Sequence, residues 1–189
     1  VHAMAWVKWA AARVNLDLGL LDAAKAQAIA GAAHRVAAGE FDAEFPLSVW
    51  QTGSGTQTHM NVNEVVAHLA TQAMPTKRGV APVAVSAHDD VNLGQSSNDV
   101  FPTAMHIATA LRARFSLLPA LQQLRVALEA KALAFAGIVK TGRTHLMDAT
   151  PVTLGQEFGG YAAQLALCDD SLRHALHAVH RLAIGGTAV

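Results

Sequence analysis

Apolar positions recur along most of this chain at spacings of three and four, the mark of helices that bury one face. The first such segment covers residues 3–14, where Ala10, Ala11 and Val14 stand among polar neighbours and Lys8 and Arg13 interrupt an alanine-rich run. Residues 15–21 form a connector. Asp22 then suits the cap of a second helix carrying Lys25, Ile29 and Val36, and Gly39 suits its left-handed end. Residues 40–50, with Phe41, Phe45, Pro46 and Trp50, predict an irregular, packed connection, and a short helix is expected to end near Met74. Residues 75–82 are rich in turn formers. From Val100 onward Ala104, Ala108, Leu111, Phe115 and Leu118 mark one helical face, and Pro119 begins or kinks a further helix with Leu121, Leu124, Leu128 and Phe135. Leu154, Phe158, Tyr161, Leu165, Cys168, Leu172, Leu176 and Val179 follow at steps of four and three that predict one long helix with a heptad-like seam, Cys168 in its core. Long helices of this kind build bundles.

Three polar stretches break the pattern. Gln51-Thr52-Gly53-Ser54-Gly55-Thr56-Gln57-Thr58-His59-Met60-Asn61-Val62-Asn63-Glu64 precedes a short third helix, Asn92-Leu93-Gly94-Gln95-Ser96-Ser97-Asn98-Asp99-Val100-Phe101-Pro102 leads into the fourth, and residues 140–151 lie between the last two. In the second stretch Pro102 lacks an amide hydrogen and fits best in a first helical turn, which places the cap at Asn98 or Asp99. Hydroxyls, a side-chain amide and unpaired backbone N–H groups then converge at the positive end of a helix dipole, an arrangement suited to an anion. The first stretch lacks the third glycine and the preceding strand of a dinucleotide fingerprint, and it has no Gly-x-Ser-x-Gly elbow. The third, 140–151, is too polar and turn-rich to continue a helix and reads as a second functional loop. Taken singly, each stretch could simply satisfy its own backbone and cap the next helix.

Composition narrows the classes. The chain has 189 residues, of which 52% are apolar and 15% charged, more apolar surface than one subunit would leave in water, which favours burial against partners. Lys plus Arg equals Asp plus Glu at 14 each, and no basic block interleaves with aromatics, so no nucleic-acid surface is indicated. No apolar run reaches the ~20 residues needed to span a bilayer. A single cysteine excludes an internal disulfide and suits a reducing compartment. A cytoplasmic protein is expected, or a mitochondrial-matrix one if the source is eukaryotic.

Other chemistries fit less well. His174, His177 and His180 lie three apart, whereas helical zinc pairs more often use a spacing of four, and no obvious ligand set completes them. Asp89 and Asp90 are adjacent, so in extended chain they point to opposite sides and form no acid/base pair. No Ser/His/Asp set can be assembled from spacing.

The three stretches together resemble class II fumarate hydratase. The residues that carry this are Gly53-Ser54-Gly55-Thr56-Gln57 with Met60-Asn61-Val62-Asn63-Glu64, Gln95-Ser96-Ser97-Asn98-Asp99-Val100-Phe101-Pro102, and Gly142-Arg143-Thr144-His145 with Asp148-Ala149-Thr150-Pro151 and Leu154-Gly155-Gln156-Glu157. The fold the resemblance implies is mainly α: residues 1–97 as part of a mixed N-terminal domain and 98–189 as the first part of a long central helical bundle. It implies a homotetramer whose active sites draw on several subunits, and no cofactor or metal. Ser54, Thr56, Ser96, Ser97 and Asn98 would bind the substrate dicarboxylate, Thr144 would enter with His145 from a second subunit, and His145 would activate the water that converts fumarate to (S)-malate.

Two departures from the family pattern shape the expectation. Its Gly/Ser-rich signature loop, which carries the proposed serine base, is absent, as is the usual N-terminal start, so the chain is expected to be a portion of the enzyme and inactive alone. A secondary dicarboxylate site, usually His-Pro-Asn-Asp, reads Ser86-Ala87-His88-Asp89 here, leaving His88 and Asp89 as its candidates. The rivals are aspartate ammonia-lyase, which usually has Gln after the threonine that Thr144 matches, and a non-catalytic helical assembly module.

Overall fold

The computed structural model describes residues 1–75 and 83–187. As expected, the chain is mainly α. Its elements are α1 (His2–Asp17), α2 (Ala23–Ala37), a 3-10 turn (Asp42–Glu44), α3 (Thr56–Ala73), a π-helical turn (Ala87–Val91), α4 (Ser97–Arg112), a second π-helical turn (Ala113–Leu117), α5 (Leu118–Ala134), strands β1 (Val139–Thr144) and β2 (Met147–Thr153), and α6 (Leu154–Val179). Two compact units result, one of residues 1–108 with the C-terminal segment from Arg181, the other Thr109–His180. No helix among the described residues is long and apolar enough to cross a membrane.

The first unit is built from small side chains. Alanine is the best helix former and lets helix axes approach closely, and Ala5, Ala26, Ala33 and Ala70 are buried beside Met4, Ile29, Val36, Val62 and Val66. Asp22 caps α2 as expected, accepting the Ala24 and Lys25 N–H groups at 2.9 and 3.2 Å. Gly39, at φ +85°, follows the last turn in the left-handed conformation that its missing side chain permits. A partly buried ion pair of 2.7 Å between Lys25 and Asp90 ties α2 to the π-helical turn. That turn replaces the extended chain expected around Asp89 and Asp90, and both Asp90 and Val91 N–H groups bond Ser86 O.

Several expectations are corrected here. Helix α1 extends through the first part of the expected connector, and Asn15 from its last turn donates to Leu93 O at 3.0 Å. Phe41 and Phe45 pack on the core, but Trp50 is 90% exposed, because the chain after Pro46 has left the helices. Helix α3 is longer than expected, with 18 residues. The turn-rich stretch after Pro75 lies largely outside the described residues.

The second unit is a helix, a hairpin and a helix. Residues 140–151, expected as a loop, form most of an antiparallel pair in which Val139 faces Thr153 and Thr144 faces Met147. Gly142 makes room for the crossing strand, since a Cβ there would collide with Thr150 O. Thr153 and Gln156 form a reciprocal capping box at the start of α6, with bonds of 3.0 and 2.8 Å. Helices α5 and α6 pack on each other along half-buried or buried positions 118, 121, 125, 128, 132 and 135 on one side and 158, 162, 165, 169, 172, 176 and 179 on the other, both at alternating steps of three and four. The seam of α6 thus uses Ala162 and Asp169 in place of Tyr161 and Cys168, and Cys168 is exposed, not core. Phe115, placed on a common apolar face by its spacing, is 69% exposed.

Candidate functional site

Gly55 fixes the first polar stretch. It sits at φ +68°, and a Cβ on it would fall inside the ring of Phe101 on α4, so only glycine combines this backbone with this approach. The turn closes through Gly55 N–H to Thr52 O, and α3 begins with His59 N–H bonding Gly55 O at 3.0 Å. The hydroxyls then line up. Thr52 Oγ1 lies 3.1 Å from Ser54 Oγ, Thr56 Oγ1 donates to Ser54 Oγ at 3.3 Å, and Thr56 Oγ1 also lies 3.3 Å from Ser97 Oγ in the first turn of α4.

The start of α4 differs from the expected one. The helix begins at Ser97, and Ser96 supplies the cap, its hydroxyl accepting Asn98 N–H at 3.2 Å and its carbonyl accepting the Asp99 and Val100 N–H groups. Pro102 therefore lies inside the helix, where its missing N–H leaves the Asn98 carbonyl without the usual i+4 donor. Asp99 is no cap. Its carboxylate is buried and accepts from the Thr187 backbone N–H at 2.9 Å and from the Thr187 hydroxyl, anchoring the C-terminal segment. Ser96 and Ser97 are half-buried while Ser54, Thr56 and Asn98 are exposed; the hydroxyls of Ser54, Thr56 and Ser97 join in one run, and Ser96 and Asn98 flank Ser97 at the start of α4.

Thr144 and His145 belong to the second unit. Thr144 ends β1, and the two-residue turn His145-Leu146 has φ +50° and +62°, a left-handed pair that ordinary side chains seldom adopt and hairpin turns usually give to Asn or Gly. All four residues from Thr144 to Met147 are exposed, and the imidazole stands at the tip of the hairpin. Arg143 and Asp148 face each other across the strands at 3.7 Å. Lys140 and Glu157 pair at the hairpin base, and Tyr161 donates to the same carboxylate at 3.0 Å. The Lys140 bond, then that of Tyr161, holds Glu157 below the ordinary carboxylate range.

His88 and Asp89 lie on the first π-helical turn. His88 Nδ1 is 2.9 Å from Asp89 Oδ1, and the Ser86 hydroxyl donates to Asp89 Oδ2 at 3.1 Å. Those two hydrogen bonds, that of His88 first, hold Asp89 below its usual value. Among the described residues no three His, Cys, Asp or Glu side chains gather into a metal-binding group.

Sequence reasoning missed a buried polar knot behind the two serine-bearing stretches. Lys8, fully buried in α1, directs Nζ at His59 Nε2 (2.7 Å), Gln95 Oε1 (2.9 Å) and Asn92 Oδ1 (3.0 Å). Burial pushes Lys8 down to about 7, and burial followed by the charge of Lys8 pushes His59 down to about 4. A neutral His59 accepts at Nε2 and keeps its proton on Nδ1. The signal was present in the periodicity, because His59, Val62, Asn63, Val66, Ala67 and Ala70 share the buried face of α3.

The family model described as "Lyase" matches residues 1–189. The chain belongs to the lyase family. A class II fumarate hydratase of Chromobacterium violaceum is 61% identical over 189 residues, all of this chain but 41% of the relative, and one of Thermosynechococcus vestitus is 54% identical, with 40% of its length covered. This lyase chain thus spans about two fifths of the curated relatives it matches. Its structure is similar to recombinant class II fumarase from Schistosoma mansoni, at 44% identity and a TM-score of 0.93, covering 100% of this chain and 39% of that one. The fold is shared further with a cycloisomerase of Acinetobacter calcoaceticus at 20% identity and a TM-score of 0.64, covering 92% of this chain and 37% of that one.

Proposed function

We propose that these residues serve a class II fumarate hydratase, which reversibly adds water to fumarate to give (S)-malate. The observation that carries the proposal is the run of hydroxyls from Thr52 through Ser54 and Thr56 to Ser97, joining two separate stretches into one surface beside the start of α4. Hydroxyl and backbone N–H donors bind carboxylates without neutralising them, which suits a substrate whose charge must stay mobile between carbon and carboxylate. In this reading Ser54, Thr56, Ser96, Ser97 and Asn98 hold one end of the dicarboxylate, and Thr144 and His145 are contributed by a second copy in a homotetramer. His145 takes a proton from water as its oxygen bonds to one alkene carbon. The electron pair of the double bond moves to the other carbon and into its carboxylate, and a proton is then delivered there by an acid outside these 189 residues. His88 and Asp89 form a secondary dicarboxylate contact at most. Residues 1–97 and 98–189 fall in the N-terminal and bundle domains of the whole enzyme, which works in the cytoplasm.

The test is a spectrophotometric assay of a polypeptide of the relatives' full length, following loss of the fumarate double bond. Malate formation with no turnover of aspartate supports the proposal, whereas aspartate deamination without malate formation assigns the chain to the ammonia-lyases. Malate formation by the 189 residues alone would overturn the shared-site part of the mechanism.

A further inference from the structure

The buried ammonium of Lys8 has no role in the chemistry above, yet its three acceptors are the residues on which both serine-bearing stretches are mounted. His59 sits one turn into α3, and its backbone bonds Gly55, the residue that aims Thr56. Asn92 and Gln95 bracket a tight turn, cross-linked by Asn92 Nδ2 to Gln95 O at 2.9 Å and Gln95 N–H to Asn92 O at 3.0 Å, and Gln95 leads directly into Ser96. Gln95 Nε2 also donates to Val91 O and Leu93 O. Two turns along the same helix, Asn15 grips Leu93 O. One face of α1 therefore holds the 92–95 turn at three points and α3 at one. When protonated the Lys8 amine has three hydrogens, and three neutral acceptors stand at 2.7 to 3.0 Å to take them, with no carboxylate among the three. Packing alone would be served by a methionine, and a buried charge is costly unless its geometry is satisfied.

We propose that Lys8 is a positioning residue that sets the separation between Thr56 and Ser97, and so the width of the hydroxyl surface that receives one substrate carboxylate. The inference rests on the proposed function for its kinetic readout. Lys8 and His59 touch no substrate, and act through Gly55 and Gln95. A structural filler would alter stability alone. A positioning residue alters substrate binding more than the proton-transfer step, which His145 of a second copy serves.

The experiment compares wild type, Lys8→Met, His59→Leu and His59→Gln in the full-length protein, with thermal midpoints as the check on folding. Lys8→Met removes all three donors at similar volume. His59→Leu removes one acceptor, and His59→Gln restores one. The expected result is a rise in KM for fumarate of about tenfold or more in Lys8→Met and several-fold in His59→Leu, each larger than the accompanying fall in kcat, with His59→Gln within about twofold of wild type. Should Lys8→Met fail to fold, the His59 pair decides. Wild-type KM in folded His59→Leu, or a fall in kcat at unchanged KM, overturns the inference. If wild type itself does not hydrate fumarate, the functional reading fails separately, and the tie is then read from the crystal structure of His59→Leu. Retention there of the 3.3 Å Thr56 to Ser97 separation overturns the inference, and its widening supports it.

Discussion

In the first unit Ala5, Ile29, Ala33, Val36, Val62 and Val66 are fully enclosed, whereas on the two long helices of the second Leu133 is 81% exposed, Leu167 68%, Leu124 53% and Val126 50%. Both units are rich in apolar residues, but they dispose of them differently. Three helices carrying alanine at their contacts close around a core of their own. Two antiparallel helices can share only one seam, which here takes the positions around Ala162, Leu172, Leu128 and Phe135 and leaves the other flanks uncovered. Exposed apolar faces of this extent are unusual on a free surface and fit the packing of further helices in the proposed homotetramer. The unit with the closed core carries the hydroxyl surface, while the open unit presents His145 on an arm.

The strongest break in this comparison is chemical. Replacing His145 by Asn in the full-length enzyme is expected to lower kcat by about 10²-fold or more, with a much smaller change in KM, measured by fumarate hydration. Ile29→Ala in the closed core should cost about 3 kcal/mol, read from the denaturant midpoint. A third effect is the pH response of the same core. The native pKa of His59, about 4, lies below its ordinary 6.5, so the unfolded chain binds more protons between those values and stability falls as pH drops through that window. The loss approaches about 3 kcal/mol by pH 4 and should be largely missing in His59→Asn, measured as thermal midpoints from pH 7 to 4. Lys8, lowered to about 7 from 10.5, acts in the same sense at higher pH, making stability rise with pH across that interval. Leu133→Lys tests the open unit: helicity should persist while sedimentation shifts toward smaller species. The smallest effect is expected for Arg173→Ala, which breaks an exposed i,i+4 pair with Asp169 and should leave the thermal midpoint within measurement error.

The sequence shows the helices, the Asp22 cap, the Gly39 end and the three chemical stretches, because each rests on local rules of periodicity, capping and turn composition. Four features escape it for physical reasons. The hairpin carries His145-Leu146 where a tight turn usually shows Asn-Gly, so its strongest local signal is missing. Pro102 stands in the second turn of α4 because Ser96, earlier than either expected residue, already serves as the cap. The π-helical turn depends on main-chain bonds from Val91 to Ser86 that no side-chain pattern announces. Lys8 looks like a solvated interruption of an alanine run, since its acceptors come from positions 51, 84 and 87 residues away. Of the site, the residue types were legible. Their assembly into one hydroxyl run depended on the Gly55 and Phe101 contact, which only the folded chain displays.

The hairpin bearing His145 behaves as a cantilever. Six residues of β1 at about 3.3 Å each put its tip roughly 20 Å from its root. A tilt of only about 3° at the root then displaces the imidazole by about 1 Å, which in the proposed role of His145 is enough to cost about 10²-fold in rate. The precision of the tip is thus decided at the other end, where Leu154 N–H bonds Ile138 O at 2.8 Å, Gly155 N–H bonds Phe135 O at 3.0 Å, and Lys140 clasps Glu157. Gly155 has no room for a side chain against the Ala132 carbonyl and the Ala136 backbone, so the root is clamped main chain to main chain. Such an arm converts the stiffness of a helix junction into accuracy at a distance.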